Sequence, residues 1–364
     1  MSNAPFRDPD TVRALAAAIA ATMTRPWSVM EICGGQTHAI LKHGLDQLLP
    51  QELTLIHGPG CPVCVTPAAA IDFAVALAAR PEVVLCSYAD MLRVPGSSRA
   101  LLDARAAGGD VRMIYSPLEA VTIARENPSR EVVLFAIGFE TTAPGNAQAI
   151  FSAASAGLAN FSAIVAQVTV PAALEALLGD PRQRVDGLLA AGHVCTVTGY
   201  DEYHAIAARH ATPIVVTGFE PVDLLRGLKR CIELLEAGRA EVANCYERYV
   251  GEHGNAAARA LLARVFEPAD MAWRGLGTIP ASGYRLRAEF AAFDAWRKFG
   301  IAGDAAAGEA GECLAGEVLR GLKKPHECPA FGTRCTPAHP LGAPMVSGEG
   351  ACAAYFRYRP PAAA

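Results

Sequence analysis

The sequence lacks the features that assign a chain to several common classes. No apolar run approaches the roughly 18–20 residues that a bilayer-spanning helix needs. Lysine and arginine form no cluster, and the formal net charge of −4 argues against a nucleic-acid surface. Residues 14–21 are weakly apolar, but they are mostly alanine and follow two aspartates, so we interpret them as a surface helix rather than an export signal. We therefore expect a cytoplasmic protein with no membrane or nucleic-acid partner.

Common nucleotide-binding and hydrolase motifs are also missing. There is no Gly-x-x-x-x-Gly-Lys-Ser/Thr loop to hold phosphates and no Gly-x-Ser-x-Gly elbow. Residues 58–60 (Gly-Pro-Gly) lack the third glycine of a dinucleotide fingerprint, and cysteines follow where phosphate would bind. The chain instead has eleven cysteines. In a cytoplasmic protein, so many cysteines indicate metal or thiol chemistry rather than structural disulfides.

The length of 364 residues predicts two or three domains. The 52% hydrophobic and 19% charged composition is typical of a globular protein. Strand-like and helix-like segments alternate over residues 27–250, which favours one or two doubly wound α/β domains with right-handed crossovers. Residues 224–250 predict a long helix with a break near Gly238. Beyond Gly251 glycine and proline become frequent, so we expect an irregular third domain without strands.

Two cysteine-containing turns each follow a short apolar run that predicts a buried strand. The first turn spans residues 33–38 (Cys-Gly-Gly-Gln-Thr-His), and the second spans residues 58–64 (Gly-Pro-Gly-Cys-Pro-Val-Cys). A strand–turn–helix unit places its turn at the carboxyl end of a parallel strand, where α/β sheets build their sites. We expect the helix start to lower the pKa of the cysteine there, and the glycines at 34, 35, 58 and 60 to adopt positive φ.

The two turns differ in how strongly they indicate chemistry. Cys33 alone has an ordinary alternative, since many cysteines are small buried hydrophobic residues. Cys61 and Cys64 are separated by two residues inside a glycine-rich turn, a spacing that indicates redox or metal chemistry.

A third polar turn follows the strongly apolar run 131–137. It reads Gly-Phe-Glu-Thr-Thr over residues 138–142, and Gly-Phe-Glu recurs at residues 218–220. Both copies follow a valine-rich run and precede a helical segment. We therefore expect both turns at equivalent edges of a parallel sheet.

Four cysteines lie in the last 52 residues, separated by 14, 6 and 16 residues. Four thiolates suit either structural zinc or an iron–sulfur cluster, or they are buried fillers. Zinc sites usually contain close Cys pairs, so this spacing favours a cluster. These cysteines are Cys313, Cys328, Cys335 and Cys352. We interpret the four remaining ones as fillers of the core or the surface: Cys86, Cys195, Cys231 and Cys245.

Together these motifs resemble those of the HypD family of nickel–iron hydrogenase maturation factors. The runs 33–38, 58–64 and 138–142 each look like a family motif, and the four tail cysteines have the family's spacing. The resemblance covers essentially the whole chain.

The resemblance implies an α/β fold with two doubly wound, Rossmann-like parallel-sheet domains around a cleft, plus an irregular, mostly helical iron–sulfur domain. We place the first domain, with both cysteine turns, at residues 1–120. The second domain, with the Gly138 turn, spans residues 121–250, and the cluster domain spans residues 251–364.

The resemblance also implies a function. Family members form a scaffold on which the Fe(CN)2CO unit of the hydrogenase is assembled. HypC shares the iron by supplying a second cysteine, and HypE delivers cyanide as a thiocyanate. A 4Fe–4S cluster on the four tail cysteines would help to supply electrons. Such a protein is a maturation scaffold with redox activity rather than an independent turnover enzyme.

Several residue roles follow as hypotheses. Fe(II) with diatomic ligands prefers soft thiolate anchors, which makes Cys33 the best candidate ligand. His38 either ligates iron, holds Cys33 as a thiolate, passes a proton, or is only a hydrogen-bonded helix residue. Cys61 and Cys64 either bind the iron or alternate between dithiol and disulfide.

The third turn is assigned to the same chemistry. We expect Glu140, Thr141 and Thr142 to act through hydrogen bonds to bound cyanide or to a neighbouring thiolate. Two other functions stay open. One is a 4Fe–4S-dependent thiol–disulfide reductase that uses Cys61 and Cys64, and the other is a binding module whose tail cysteines hold zinc.

Overall fold

The fold was obtained as a computed structural model that describes residues 4–300 and 312–360. Residues 1–3, 301–311 and 361–364, which the predicted first and third domains include, lie outside the described residues. Within the described part, the strands are β1 (Trp27–Glu31), β2 (Leu53–His57), β3 (Val83–Ser87), β4 (Asp110–Met113), β5 (Glu131–Gly138), β6 (Phe161–Gln167), β7 (Gly187–Ala191), β8 (Ile214–Thr217), β9 (Val242–Asn244), β10 (Phe266–Trp273) and β11 (Gly277–Leu286).

The helices lie between and after these strands. They are α1 (Pro9–Thr22), α2 (Gly34–Lys42), α3 (Leu45–Leu48), α4 (Pro62–Val65), α5 (Ala68–Ala78), α6 (Leu101–Ala106), α7 (Pro117–Glu126), α8 (Ala143–Ser155), α9 (Val170–Leu178), α10 (Gly192–Thr198), α11 (Asp201–His210), α12 (Pro221–Glu236), α13 (Ala256–Val265), α14 (Ala295–Phe299), α15 (Ala315–Leu319) and α16 (Ala351–Tyr358). Short 3-10 helices cover Ala4–Arg7, Asp90–Arg93, Ala288–Phe293, Pro325–Glu327 and Ala343–Met345. No helix in the described ranges combines the length and the apolar character needed to cross a membrane.

The described residues form two compact units, and each unit combines segments that are distant in the sequence. The first unit draws on Met1–Cys61, Ala173–Asn255 and Cys313–Ala364. The second unit draws on Pro62–Ala172 and Ala256–Glu312. The two units therefore interleave along the chain. The contiguous domains 1–120, 121–250 and 251–364 stay a prediction.

The first unit contains a five-stranded parallel sheet in the order β2-β1-β7-β8-β9. Its strands are short and apolar because a parallel sheet is covered by helices on its faces. Helices α1 and α12 contact each other beside it. Asp8 caps α1 by accepting the backbone N–H of Thr11 at 2.8 Å. The core between sheet and helices includes Ile19, Val29 and Leu228.

The second unit contains a four-stranded parallel sheet in the order β4-β3-β5-β6. Its central strand β5 is buried from residue 132 to residue 138. The two parallel sheets confirm the predicted doubly wound α/β fold. They also confirm that both Gly-Phe-Glu turns follow parallel strands, one after β5 and one after β8.

Two local predictions are wrong. The predicted helix over residues 224–250 ends at Glu236, and Val242–Asn244 forms the edge strand β9 instead. The break near Gly238 is confirmed, since this residue has φ of 64°. A residue in the left-handed conformation ends an α-helix, and glycine adopts that conformation readily. The chain therefore turns back to the sheet after Gly238.

The prediction that strands are absent beyond Gly251 is also wrong. Strands β10 and β11 form an antiparallel hairpin in the second unit. Prolines at 268 and 280 and a glycine at 283 hide these strands in the sequence. A two-stranded sheet consists only of edge strands, where proline is tolerated.

Candidate functional site

The first unit has a topological switch point between β1 and β7. The chain moves from β1 to β2 on one side of the sheet, and β7, β8 and β9 extend it on the other side. Ligands of open α/β sheets bind in the crevice outside the carboxyl ends of the strands at such a point. Cys33 follows β1 there, directly after Ile32, whose backbone N–H donates to the Leu189 carbonyl at 3.1 Å.

The two cysteine turns lie in direct contact at Gly60. A Cβ atom at Gly60 would overlap the Ile32 carbonyl oxygen and would lie 2.5 Å from Cys33 Cα. The backbone N–H of Gly34 donates to the Gly60 carbonyl at 3.4 Å. The prediction of positive φ at glycines 34, 35, 58 and 60 is wrong, because none of them has it. At Gly60 glycine is needed for close approach between two backbones.

Cys33 is a half-buried residue at the N-cap of α2, and its thiol differs from the predicted one. Burial, followed by the nearby carboxylate of Glu349, raises the pKa of Cys33 to about 12. The backbone N–H groups of Gly35 and Gln36 act in the opposite direction but are outweighed. The prediction of a lowered pKa is therefore wrong for the metal-free protein.

His38 lies in the second turn of α2 and has both ring nitrogens engaged. Nδ1 lies 3.0 Å from the Gly348 carbonyl oxygen, so it donates there, and Nε2 accepts from the Tyr358 hydroxyl at 3.3 Å. Its ring also meets the Tyr358 ring edge-on. These contacts join α2 to the C-terminal part of the chain, residues 313–360, which we call the tail segment.

A buried polar chain that sequence reasoning missed lies beneath the two turns. His57 contacts Glu31 through Nδ1, and its Nε2 accepts the Tyr355 hydroxyl at 3.0 Å. Thr37 donates its hydroxyl to the same Glu31 oxygen at 2.8 Å, and Glu31 is fully buried. Glu31 lies two residues before Cys33 and His57 four before Cys61, so their position beside the motifs is the signal that could have found them.

Both cysteines of the second turn, Cys61 and Cys64, are in the disulfide state. They are buried, and the boundary between the two units falls between Cys61 and Pro62. Whether this pair binds iron or alternates between disulfide and dithiol stays a prediction.

The Gly138 turn belongs to the second unit, at the switch point of its sheet between β3 and β5. Glu140 is buried and accepts the backbone N–H of Val170 at 2.8 Å. Thr142 donates to the Ile137 and Phe139 carbonyls, both at 3.2 Å, and Thr141 and Thr142 are both exposed. Thr142 thus holds the turn itself together, and Glu140 links the turn to the start of α9.

The four tail cysteines line one small cavity in the first unit. Apolar residues complete its wall, among them Val318, Phe331 and Met345. The backbone N–H of Leu341 donates to Cys335 Sγ at 3.4 Å. The thiols are Cys313, Cys328, Cys335 and Cys352.

The thiols of this cavity affect one another. Burial, and after it the neighbouring Cys313, Cys335 and Cys328, raise the pKa of Cys352. In residues 4–300 and 312–360, no group of three or more His, Cys, Asp or Glu side chains is arranged to hold a single metal ion.

The cysteine cavity and the Cys33 turn share one unit through helix packing. Helix α16 carries Cys352 and packs against α2, which begins after Cys33. A core of Leu41, Phe331, Met345 and Tyr355 lies between them. The first unit thus brings together Cys33, His38, Cys61 and the tail cysteines, while Cys64 and residues 140–142 belong to the second unit.

Of the cysteines predicted as fillers, Cys86, Cys195 and Cys231 are buried and Cys245 is half-buried, as expected.

Comparison with known proteins gives consistent results. The family model HypD, described as "Hydrogenase formation hypA family", matches residues 10–359. The chain is 50% identical to "Hydrogenase maturation factor HypD" of Rhodobacter capsulatus, over 97% of each chain. It is also 50% identical to the Azotobacter vinelandii protein of that name, over 97% of this chain and 95% of the relative. The Escherichia coli K12 protein is 45% identical over 96% of this chain and 93% of its own length.

Proposed function

The chain belongs to the HypD family, and from this membership we propose that it is a hydrogenase maturation factor that holds iron on Cys33 while the Fe(CN)2CO unit is assembled. The position of Cys33 supports this proposal most directly. Cys33 follows strand β1 at the topological switch point of the first unit, where open parallel sheets bind ligands. A soft thiolate is the ligand that iron with diatomic ligands prefers.

The packing around Cys33 suits a substrate iron that must accept further ligands. Glycines at 34 and 35 follow Cys33 and carry no side chains that would cover its sulfur from the helix side. A single protein thiolate leaves coordination positions for cyanide, carbon monoxide and a thiolate from a partner. We propose HypC as the source of that second thiolate and HypE as the donor of cyanide.

The raised pKa of Cys33 fits this use. A thiol that stays protonated in the metal-free protein is protected against oxidation, because the thiolate is the reactive form. Iron binding displaces the proton, since metal ligands must be deprotonated. His38 is proposed to position the tail segment on α2 rather than to ligate iron, because both of its nitrogens are engaged.

The tail cavity fits a 4Fe–4S cluster. Four thiols surround one space with an apolar wall, and a backbone N–H donates to one of the sulfurs. Thiolates hold such clusters, and hydrogen bonds to sulfur tune their potential. Cys313, Cys328, Cys335 and Cys352 would hold the group. When bound, it would supply single electrons.

The Cys61–Cys64 pair is proposed to be the redox partner of this chemistry. Oxidation of the two thiols to the disulfide releases two electrons and two protons, and reductive release of cyanide from a thiocyanate consumes two electrons. Electrons from the proposed cluster would then reduce the disulfide again. The disulfide state of both cysteines supports this role over direct iron binding.

The disulfide state of Cys61 and Cys64 also favours a second candidate function, a 4Fe–4S-dependent thiol–disulfide reductase. In that case Cys61 and Cys64 would reduce a generic disulfide substrate, and Cys33 would be unnecessary. Substrate turnover that is indifferent to Cys33→Ala would support this function.

The proposed function is tested by complementing a strain that lacks the chain. Cys33→Ala is expected to abolish hydrogenase activity. Cys245→Ala, at a half-buried free cysteine outside both cysteine turns and the tail cavity, should keep it. Analysis of both anaerobically purified variants should show equal sulfide, equal amounts of the cluster iron that accompanies it, and no zinc. Full hydrogenase activity with Cys33→Ala would contradict the proposal, and stoichiometric zinc would contradict the cluster.

A further inference from the structure

The β7 side of the topological switch point carries a residue, His193, that the proposed function does not use. Cys33 follows β1, and His193 follows the adjacent parallel strand β7 as the second residue of α10. Parallel neighbours end at the same edge of a sheet, so both residues border the same crevice. The sequence places them 160 residues apart, and only the strand order brings them together.

A short chain of contacts joins His193 to the Cys33 sulfur. The position of a Cβ atom on Gly35 lies 3.8 Å from Cys33 Sγ and 3.2 Å from Phe219 Cε1. Phe219 in turn stacks on His193, with ring centroids 3.8 Å apart and planes 23° from parallel. The imidazole therefore forms the outer layer of an aromatic wall beside the sulfur.

The backbone under His193 is fixed by close packing. A Cβ atom at Gly192 would lie 2.5 Å from Tyr246 Cδ1 and 2.6 Å from the Thr217 carbonyl oxygen, so only glycine fits. The Thr196 hydroxyl donates to the His193 carbonyl at 2.6 Å. The ring is thus positioned by its stack and by a tightly packed start of α10.

The ring nitrogens of His193 are available to a ligand. Neither nitrogen has a hydrogen-bond partner among the residues that the structure describes, in contrast to His38. The ring is exposed on its outer side, and partial burial lowers its pKa. A neutral imidazole at pH 7 keeps one N–H donor and one acceptor nitrogen.

We propose that His193 is a positioning residue for the iron ligands, and that its imidazole N–H donates a hydrogen bond to the nitrogen of a cyanide carried by iron on Cys33. This inference rests on the proposed function. A linear cyanide extends several bond lengths beyond the sulfur, so its nitrogen reaches the rim of the crevice, where the imidazole lies. Cyanide nitrogen is a good hydrogen-bond acceptor, whereas the oxygen of bound carbon monoxide is a poor one. The bond would hold cyanide on the His193 side and leave the other positions for carbon monoxide and the partner thiolate.

Infrared spectroscopy of the anaerobic complex with HypC, made in the presence of HypE, tests this assignment. His193→Phe keeps the stack on Phe219 but removes both nitrogens, and His193→Gln retains an N–H donor. His204→Phe, at a half-exposed histidine of α11, is the matched control. Thermal unfolding midpoints of all variants monitor the fold.

We expect His193→Phe to shift the cyanide stretch relative to wild type while the carbon monoxide stretch moves less, and His193→Gln to return the cyanide stretch toward the wild-type position. Loss of the cyanide band in His193→Phe alone, with an unchanged midpoint, would also support the assignment. Identical spectra for wild type and both His193 variants would overturn it and leave the proposed function intact. Absence of diatomic bands in the wild-type complex would overturn both.

Discussion

At the scale of single residues, the Cys33 turn depends on close packing between backbones. Gly60 brings the second cysteine turn against Ile32 and Cys33 with no room for a side chain. The constraint is steric, since Gly60 has no positive φ. The identity of residue 60 therefore decides whether the two motifs meet.

Gly60→Ala is expected to lower the free energy of unfolding by about 1–3 kcal/mol, because overpacking forces backbone shifts of this cost. Gly251→Ala is the matched control, since no atom lies within 4 Å of a Cβ atom there. Urea unfolding followed by circular dichroism measures both. Equal midpoints for the two variants would show that the turns do not meet as described.

The chain of Glu31, His57 and Tyr355 is a second residue-scale constraint. Its side chains are buried, and its hydrogen bonds offset the free-energy cost of burying their polar groups, although Glu31 Oε2 has no hydrogen-bond partner among the described residues. Burial also raises the pKa of the Tyr355 hydroxyl, which therefore remains a hydrogen-bond donor at neutral pH. These hydrogen-bonded side chains link β1, β2 and α16 to one another.

Tyr355→Phe is expected to destabilise the protein by about 1–3 kcal/mol, because it leaves His57 Nε2 without its donor. Tyr115→Phe, at a tyrosine that is 84% exposed, should cost nearly nothing. Thermal and urea unfolding of the two variants provide the comparison. A Tyr355→Phe protein as stable as the control would contradict the buried chain.

At the scale of elements, the edge strand β4 is held by an ion-pair cluster at its first residue. Asp110 accepts from Arg112 Nε at 2.9 Å and from Arg130 Nη1 at 2.6 Å. Arg130 also donates to the Val83 carbonyl on the neighbouring strand β3 at 2.9 Å. Hydrogen bonds from Arg112, aided by Arg130, hold the pKa of Asp110 below its usual range although burial opposes them.

The lowered pKa of Asp110 gives a pH-dependent prediction. A carboxylate whose pKa is lower in the folded state stabilises the fold above its ordinary pKa, and this contribution is lost as the pH falls through the folded value. Asp110→Asn should therefore cost about 1 kcal/mol at pH 7, the upper range for a partly exposed pair. The difference from wild type should vanish well below pH 4.

Unfolding midpoints of wild type and Asp110→Asn at pH 7 and at pH 3 measure this dependence. Asp90→Asn, which breaks an exposed pair with Arg93, is the control. A difference between wild type and Asp110→Asn that is as large at pH 3 as at pH 7 would contradict the assignment.

Individual elements are predictable from this sequence when their apolar pattern is continuous. Residues 132–137 are buried and apolar, and they lie in β5 as expected. The hairpin of β10 and β11 is not predictable in this way, because its prolines are acceptable only on edge strands, and edge position is a tertiary property. The predicted pKa of Cys33 is wrong for a similar reason, because it is raised first by burial and then by Glu349, which lies 316 residues away in sequence, and both are tertiary properties.

At the scale of the whole molecule, the tail segment is packed within the first unit. Helix α16 contacts α2, and the tail cysteines lie beside the core that joins them. A change in the metal content of the tail should therefore affect the helix that starts at Cys33.

Anaerobic removal of the iron of the proposed tail cluster by a chelator is expected to raise amide exchange in α2 and α16 within the first unit. Loss of a metal that holds a segment exposes its backbone to local opening. Strands β3 to β6 of the second unit should exchange as before. Hydrogen–deuterium exchange with mass spectrometry measures both regions, and equal increases in β5 and α2 would contradict this prediction.

The site as a whole is only partly readable from the sequence. The cysteine motifs mark Cys33, and their resemblance to a family indicates iron chemistry. The position of His193 beside Cys33 cannot be predicted from the sequence, because the order β2-β1-β7-β8-β9 places a strand from the middle of the chain beside β1. His193 therefore becomes visible only when the strand order is known.

We propose that Cys33 holds an iron ion with diatomic ligands. An infrared spectrum of the anaerobic complex with HypC, compared between wild type and Cys33→Ser, tests this proposal. We predict cyanide and carbon monoxide bands in wild type and none in Cys33→Ser, with unchanged tail iron and sulfide. Bands of equal intensity in Cys33→Ser would contradict the claim.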